Sequence, residues 1–158
     1  MTPTQQAALQ AVYTSHGGGT FSAQQVTDLT PLVTARNDAG VAAYLNPSLP
    51  PVLVAGQWIT DRGLVDAAVR STGSNALSDS ILTKLDNAIA SSRSAKAIIG
   101  RLYSDATGVD FGDANLGAWF TAQTPTVFTQ AEHDFLVALG KAVVPIDHTQ
   151  VSQALNGA

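Results

Sequence analysis

The chain has 158 residues, 45% of them hydrophobic and only 13% charged, with a net charge of −4. Soluble domains usually carry roughly 25% charged residues. The length predicts a single domain over residues 1–158. The sequence contains neither a cluster of basic residues nor a cysteine. We therefore expect no nucleic-acid partner, no disulfide and no thiolate metal site. Apolar runs stay shorter than the roughly 18 residues of a membrane span, which predicts a soluble product without a membrane partner.

Helix starts of one kind recur along the chain. Three pairs have the spacing of a capping box, in which each side chain bonds the backbone N–H of the other residue. They are Thr2 with Gln5, Ser22 with Gln25, and Thr129 with Glu132. Thr60 stands at a further helix start, as a single N-cap. These seven residues are predicted structural caps.

The first third of the chain predicts three helices. The first begins behind Thr2 and ends at the run Gly17–Gly19, because three glycines do not sustain a helix. The second begins behind Ser22, and Pro31 marks within it either a kink or a new first turn. A third, short helix is capped by Asn37 or Asp38 and ends at Asn46-Pro47.

Residues 47–57 form the longest irregular segment and are rich in proline. Val52–Ala55 has the composition of a strand, but no other run offers itself as its partner. An extended segment with its apolar side chains against helices is the favoured interpretation.

The remainder predicts further amphipathic helices. One follows Thr60, and a strong apolar stripe starts at Ser78 or Asp79. Whether 78–103 is one helix or two stays open, and its serine cluster favours a break capped by Ser92 or Ser94. The last three begin near Asp113, Thr129 and residues 147–148. The predicted fold class is all-α: a single compact domain of seven or eight short capped helices with one irregular segment.

Residues with chemical potential are few and scattered. Glu132 is the only glutamate, and its place in a capping box explains it better than catalysis does. His133 lies on the polar side of its helix and is expected to be solvated. Neither it nor His16 or His148 has metal-ligand spacing. We therefore expect no catalytic residue, no metal and no cofactor, and we do not expect an enzyme.

Two other groups of residues have structural explanations. The acids Asp105, Asp110 and Asp113 lack the spacing of a calcium loop, so Asx-turns and a helix cap are expected there. Trp58 and Trp119 flank helix starts, and core packing is favoured for both over a ligand platform.

Several short motifs resemble, in their order, small helical proteins of tailed-bacteriophage and prophage structural gene clusters. They are the opening Met1-Thr2-Pro3, Ala35–Asn46, Trp58-Ile59-Thr60, Ser92–Ala95 and the closing Phe128–Leu139. The resemblance implies a virion component or assembly factor, made in the host cytoplasm and located in the virion.

The expected function is that of a bacteriophage virion structural protein. It is bound in multiple copies to other capsid, neck (head–tail connector) or tail proteins, as a homo-oligomer or in a symmetric assembly. The alternative is a non-structural assembly chaperone or a helical protein-binding module. Exposed loops order readily against a neighbour, so the candidate partner contacts are Gly17, Gly18, Gly19, Leu49, Pro50, Pro51, Val52 and Leu53.

Overall fold

The structure is a computed structural model that describes residues 1–103 and 107–157. Nine α-helices lie within these residues. They are α1 Pro3–Ser15, α2 Ala23–Thr34, α3 Asp38–Leu45, α4 Asp61–Thr72, α5 Ala76–Ser91, α6 Arg93–Ile99, α7 Ala114–Ala122, α8 Gln130–Leu139 and α9 His148–Asn156. A 3-10 turn, Asn46–Ser48, follows α3. The fold is mostly helical, with more helices than the seven or eight predicted.

The strict all-α prediction is wrong, because four two-residue strands pair into two small sheets. The strands are β1 Val52–Leu53, β2 Trp58–Ile59, β3 Val109–Asp110 and β4 Lys141–Ala142. β1 pairs with β4, and β2 pairs antiparallel with β3, with Trp58 opposite Asp110. Two residues are too few to show a period of two, and each partner is far away in sequence. The pattern of residues 47–57 therefore concealed a strand.

Residue contacts divide the chain into two compact units. Unit 1 comprises Met1–Val52 and Ala142–Ala158, and unit 2 comprises Leu53–Lys141. Unit 1 is therefore discontinuous in sequence, and unit 2 is inserted between its two segments. The single domain expected over residues 1–158 stays a prediction.

Unit 1 packs α1, α2, α3 and α9 around one apolar core. Its fully buried members include Leu9, Leu29, Val41, Leu45 and Val151. Asn46 joins the two chain segments of this unit. Its side-chain oxygen accepts the Ile146 N–H at 2.7 Å, and its amide donates to the Ile146 carbonyl at 3.1 Å. This reciprocal pair fixes the approach of the chain to α9.

The second helix passes through its proline. The new first turn considered at Thr30-Pro31 is absent, since α2 runs unbroken from Ala23 to Thr34 with Pro31 inside it. The Thr30 hydroxyl donates to the Val26 carbonyl at 2.7 Å. Pro31 stands one turn from the helix end, where the loss of a single backbone donor interrupts little of the helix.

Unit 2 packs α4–α8 around a second core rich in aromatic rings. Trp119, Phe120 and Phe128 meet edge to face, with ring centroids 5.4–6.2 Å apart. The predicted break after α5 is confirmed at Ser92, whose hydroxyl accepts the Ala95 N–H at 3.2 Å. The start of α5 was misplaced: the helix begins at Ala76, behind an Asn75 that makes no side-chain cap bond.

Gly140 tests how tightly unit 2 is packed. A Cβ at this position would lie 1.9 Å from the Phe111 carbonyl oxygen, whereas a Cβ at Gly117 would meet nothing within 4 Å. We expect Gly140→Ala to lower the free energy of unfolding by about 2 kcal/mol or more, because backbone must move to admit the methyl group.

Gly117→Ala is the matched control, in the interior of α7. Alanine is the better helix former there, so stability should rise by up to about 1 kcal/mol. Urea unfolding followed by circular dichroism measures both variants. Equal stability of Gly140→Ala and the parent would contradict the close approach.

Candidate functional site

The two predicted contact segments lie side by side in unit 1. Gly17 has φ +87°, and a Cβ on it would lie 2.3 Å from Val52 Cγ1 and 3.5 Å from Pro50 Cγ. The glycine-rich loop thus packs directly against the proline-rich segment. Glycine is required at this position by the positive φ as well as by the close contact.

Two of the predicted contact residues belong to the core instead. Leu49 is only 6% exposed and packs with the buried residues of unit 1. Gly18 is buried against the ring of Tyr13, where a Cβ would lie 2.4 Å from the ring carbons. The prediction of these two as partner contacts is wrong. A Gly- or Pro-rich composition predicts irregular backbone, but it does not predict which of its residues are exposed to solvent.

Four of the remaining contact residues make up a candidate surface, which we call the Gly–Pro surface: Gly17, Gly19, Pro50 and Pro51. All four are exposed. Val52 beside them is half-buried, while Leu53, 44% exposed, belongs to unit 2. None of the four residues of the Gly–Pro surface carries a charge.

Hydrogen bonds hold the Gly–Pro surface in one conformation. The Gln10 side chain donates to the Gly19 carbonyl at 2.7 Å and accepts the Phe21 N–H at 2.7 Å. The Tyr13 hydroxyl lies 2.8 Å from Ser48 Oγ, just before the prolines. Because both loops are fixed before any partner arrives, little conformational entropy remains to be lost on binding.

All predicted caps are present. Thr2 with Gln5, Ser22 with Gln25, and Thr129 with Glu132 form complete capping boxes, and Thr60 accepts the Gly63 N–H. The interpretation of Glu132 as a cap is therefore confirmed.

Glu132 also binds two residues of α5 that the sequence did not connect with it. Lys84 Nζ lies 2.7 Å from Oε1 and 2.6 Å from Oε2, and the Ser80 hydroxyl donates to Oε1 at 2.6 Å. Thr129 adds its N–H at 2.7 Å and its hydroxyl at 3.0 Å, both to Oε2. The 4% exposed carboxylate is thus enclosed by donors.

The donors decide the protonation state of Glu132. Burial by itself raises the pKa of the carboxyl, but the hydrogen bonds from Lys84, Ser80 and Thr129 outweigh it and lower the pKa to about 2. Such a group neither gives nor takes a proton near neutral pH. Its role is to join α8 to α5.

The prediction of a solvated His133 is wrong. The side chain is only 17% exposed. Its Nε2 lies 3.2 Å from Thr121 Oγ1 on α7, and its Nδ1 lies 3.2 Å from Asp134 Oδ1. The neighbouring helix covers a side chain that helical periodicity alone places on the polar face.

The two described acids of the Asp105, Asp110, Asp113 group serve the backbone. Asp110 accepts the Gly56 N–H at 2.7 Å and the Gly112 N–H at 3.0 Å. Asp113 caps α7 through Oδ1, with the N–H groups of Asn115 and Leu116 at 2.7 and 3.2 Å. The expected Asx-turn and helix cap are confirmed, and Asp105 lies outside the described residues.

Trp58 corrects the expectation of core packing. Its side chain is 58% exposed and borders a groove of about 290 Å³ in unit 2, which we call the Trp58 groove. Further lining residues include Ile98, Arg101, Asp110, Asp113 and Leu116. Tryptophan and arginine are enriched at binding hot spots. Sequence patterning missed this site because β2 is too short to show which side of the strand is buried.

A second cavity of about 250 Å³ lies beside α5 and α7. Trp119 forms part of its wall, and Lys84, Asn87 and Gln123 supply polar groups. Trp119 is half-buried within the aromatic cluster, as predicted. The Lys84 ammonium is already paired with Glu132, so this cavity offers a ligand mainly neutral amides.

The fold and its surfaces define a mostly helical protein of two compact units with several exposed apolar side chains. Within residues 1–103 and 107–157, no group of three or more histidine or acidic side chains is placed to hold a metal ion. None of the helices in these ranges is long and apolar enough to cross a membrane. Comparison of the chain with models of known families, with curated proteins and with solved structures gave no match.

Acid titration tests the Glu132 network. The folded pKa of about 2 lies below the ordinary value of 4.5, so the unfolded chain takes up the proton first as the pH falls. The stabilisation is complete above pH 4.5 and is lost between pH 4.5 and 2. Linkage sets its size at about 3 kcal/mol.

The matched variant is Glu132→Gln, which keeps a capping amide like those of Gln5 and Gln25. We expect it to be less stable than the parent by about 2–3 kcal/mol near neutral pH, with the difference vanishing as the pH approaches 2. Urea unfolding across this range provides the measurement. A difference independent of pH would show that the ionised carboxylate contributes nothing.

Proposed function

We propose that the chain is a bacteriophage virion structural protein, bound in multiple copies to other capsid, neck or tail proteins. The Gly–Pro surface is the observation that carries the proposal. Two segments far apart in sequence meet there, expose glycine backbone and proline rings, and are held by hydrogen bonds from Gln10 and Tyr13. A fixed, uncharged surface suits a permanent contact with another protein.

The low charge of the chain favours assembly as well. Only 8 basic and 12 acidic residues are distributed over 158 positions. Burying such a surface removes few ions from water, and the desolvation of ions is the main electrostatic cost of forming an interface. Similar copies also repel one another weakly. The resemblance of the short motifs to phage structural gene products agrees with this function.

The second candidate is a non-structural assembly chaperone or helical binding module. The Trp58 groove favours it, since an apolar groove with an exposed tryptophan can hold a segment of a client protein. The two candidates differ in where the chain ends up: a structural protein stays in the mature particle, whereas a chaperone leaves it.

The first test is the protein content of particles. We expect quantitative mass spectrometry of virions, purified from the phage or induced prophage that encodes the chain, to find it at a fixed stoichiometry. Abundance in the lysate together with absence from mature particles would favour the chaperone. Absence from both particles and assembly intermediates would exclude both candidates.

The second test addresses the Gly–Pro surface. Gly19→Glu places a charge on it without a clash, since a Cβ at Gly19 meets nothing within 4 Å. We expect at least a tenfold or so loss of incorporation into particles, corresponding to about 1.4 kcal/mol, while the helical circular dichroism stays unchanged.

Ala7→Glu, at an exposed position of α1, is the matched control for the added charge and should incorporate normally. Normal incorporation of Gly19→Glu would refute the assignment of this surface.

A further inference from the structure

The Trp58 groove exposes large apolar side chains to solvent. Among the large apolar side chains of the described residues, Trp58 has the greatest exposed fraction, 58%. Ile98 beside it is 37% exposed, whereas Leu116, which also lines the groove, is 2% exposed. Exposed apolar groups around a concave surface are typical of interaction sites.

Within the described part of the chain, two opposite charges in this groove form no ion pair. Within residues 1–103 and 107–157, the Arg101 guanidinium makes no ion pair and no hydrogen bond. Asp113 uses Oδ1 to cap α7, and its Oδ2 accepts nothing from these residues. Both side chains line the groove, yet they do not reach each other within ion-pair distance.

The signs of the charges select the occupant. An acidic partner segment would be attracted to Arg101 but repelled by Asp113 and by the nearby carboxylate of Asp110. A basic segment would be attracted to both carboxylates but repelled by Arg101. A surface that presents both signs beside an apolar group satisfies all of them, and this groove is such a surface. It is therefore complementary to itself.

We propose that the Trp58 groove is the contact between two copies of this chain related by a two-fold axis. In a two-fold contact, every pair of residues that meets across the axis occurs twice, because each copy supplies both members of the pair. Trp58 of each copy enters the groove of the other, and Arg101 of each copy pairs with Asp113 of the other. The inference deepens the proposed function, because it names the surface through which multiple copies associate.

Sedimentation equilibrium of the purified full chain, from about 1 to about 300 μM, tests the contact. We expect a reversible dimer. Trp58→Ser should raise its dissociation constant by about 30-fold or more, as loss of a central tryptophan does at interfaces. Val143→Ser removes a comparably exposed apolar group, 49% exposed, in unit 1, and should leave the constant unchanged.

Charge exchange tests the pairing. Arg101→Glu and Asp113→Lys should each be monomeric alone, because like charges then face each other twice. Mixed in equal amounts they should form a heterodimer, since both contacts become attractive again. Arg93→Glu, an exposed change at the start of α6, is the control and should dimerise as the parent does.

The Asp113→Lys variant also loses the N-cap of α7, which destabilises the helix independently of the contact. Asp113→Asn keeps a capping side chain while removing the charge, and it should weaken the dimer about tenfold with unchanged circular dichroism. This variant keeps the test decisive if the lysine variant does not fold.

A parent chain that stays monomeric at all these concentrations overturns the inference. This holds even if the groove binds a segment of another protein. Dimers of unchanged affinity in Trp58→Ser or Arg101→Glu overturn it equally. The outcome is separate from that of the proposed function: a dimer absent from virions refutes the virion role alone, and a monomer incorporated in virions refutes the two-fold contact alone.

Discussion

Satisfying the backbone donors at helix starts is the constraint on which this structure depends. A fold of many short helices has many orphaned N–H groups. Among the described α-helices, α5 alone has an N-cap residue without a side-chain cap bond, and there the Ser74 hydroxyl accepts the Ala76 N–H. Uncharged side chains supply most caps, and Gln5, Gln25 and Gln150 close three of the four capping boxes. The fourth uses Glu132, where the capping residue must also accept Ser80 and Lys84 from α5. Glu132, the one glutamate of the chain, lies where a neutral amide could not both close the capping box and accept the Ser80 and Lys84 donors.

This constraint explains which features could be predicted from the sequence. A cap acts across three residues, so Thr2, Ser22, Thr129 and the break at Ser92 show themselves in local spacing. Features that depend on residues distant in sequence do not show themselves in local spacing. Lys84 reaches Glu132 across 48 positions, the strands pair over longer separations, and the exposure of Trp58 depends on what β3 and α6 leave uncovered. Leu49 was misassigned for the same reason: its burial is decided by helices that its own neighbours in sequence do not reveal.

The two candidate surfaces differ in physical character. The Gly–Pro surface is uncharged and built from backbone and ring atoms, so the contact proposed for it would be selective through shape. The Trp58 groove combines one large exposed apolar side chain with charges of both signs, so the contact proposed for it would be selective through charge pairing around that side chain. The two candidate surfaces belong to different compact units.

The reciprocal bond between Asn46 and Ile146 has a consequence for biosynthesis. Unit 1 is completed by α9, which is translated after unit 2, while unit 2 is contiguous. On the ribosome, unit 2 therefore has all its residues available before unit 1 does. Until α9 emerges, the core of α1–α3 lacks Ile146 and Val151 and leaves apolar surface uncovered. The segment up to Val52 therefore completes its core only after unit 2 has been translated.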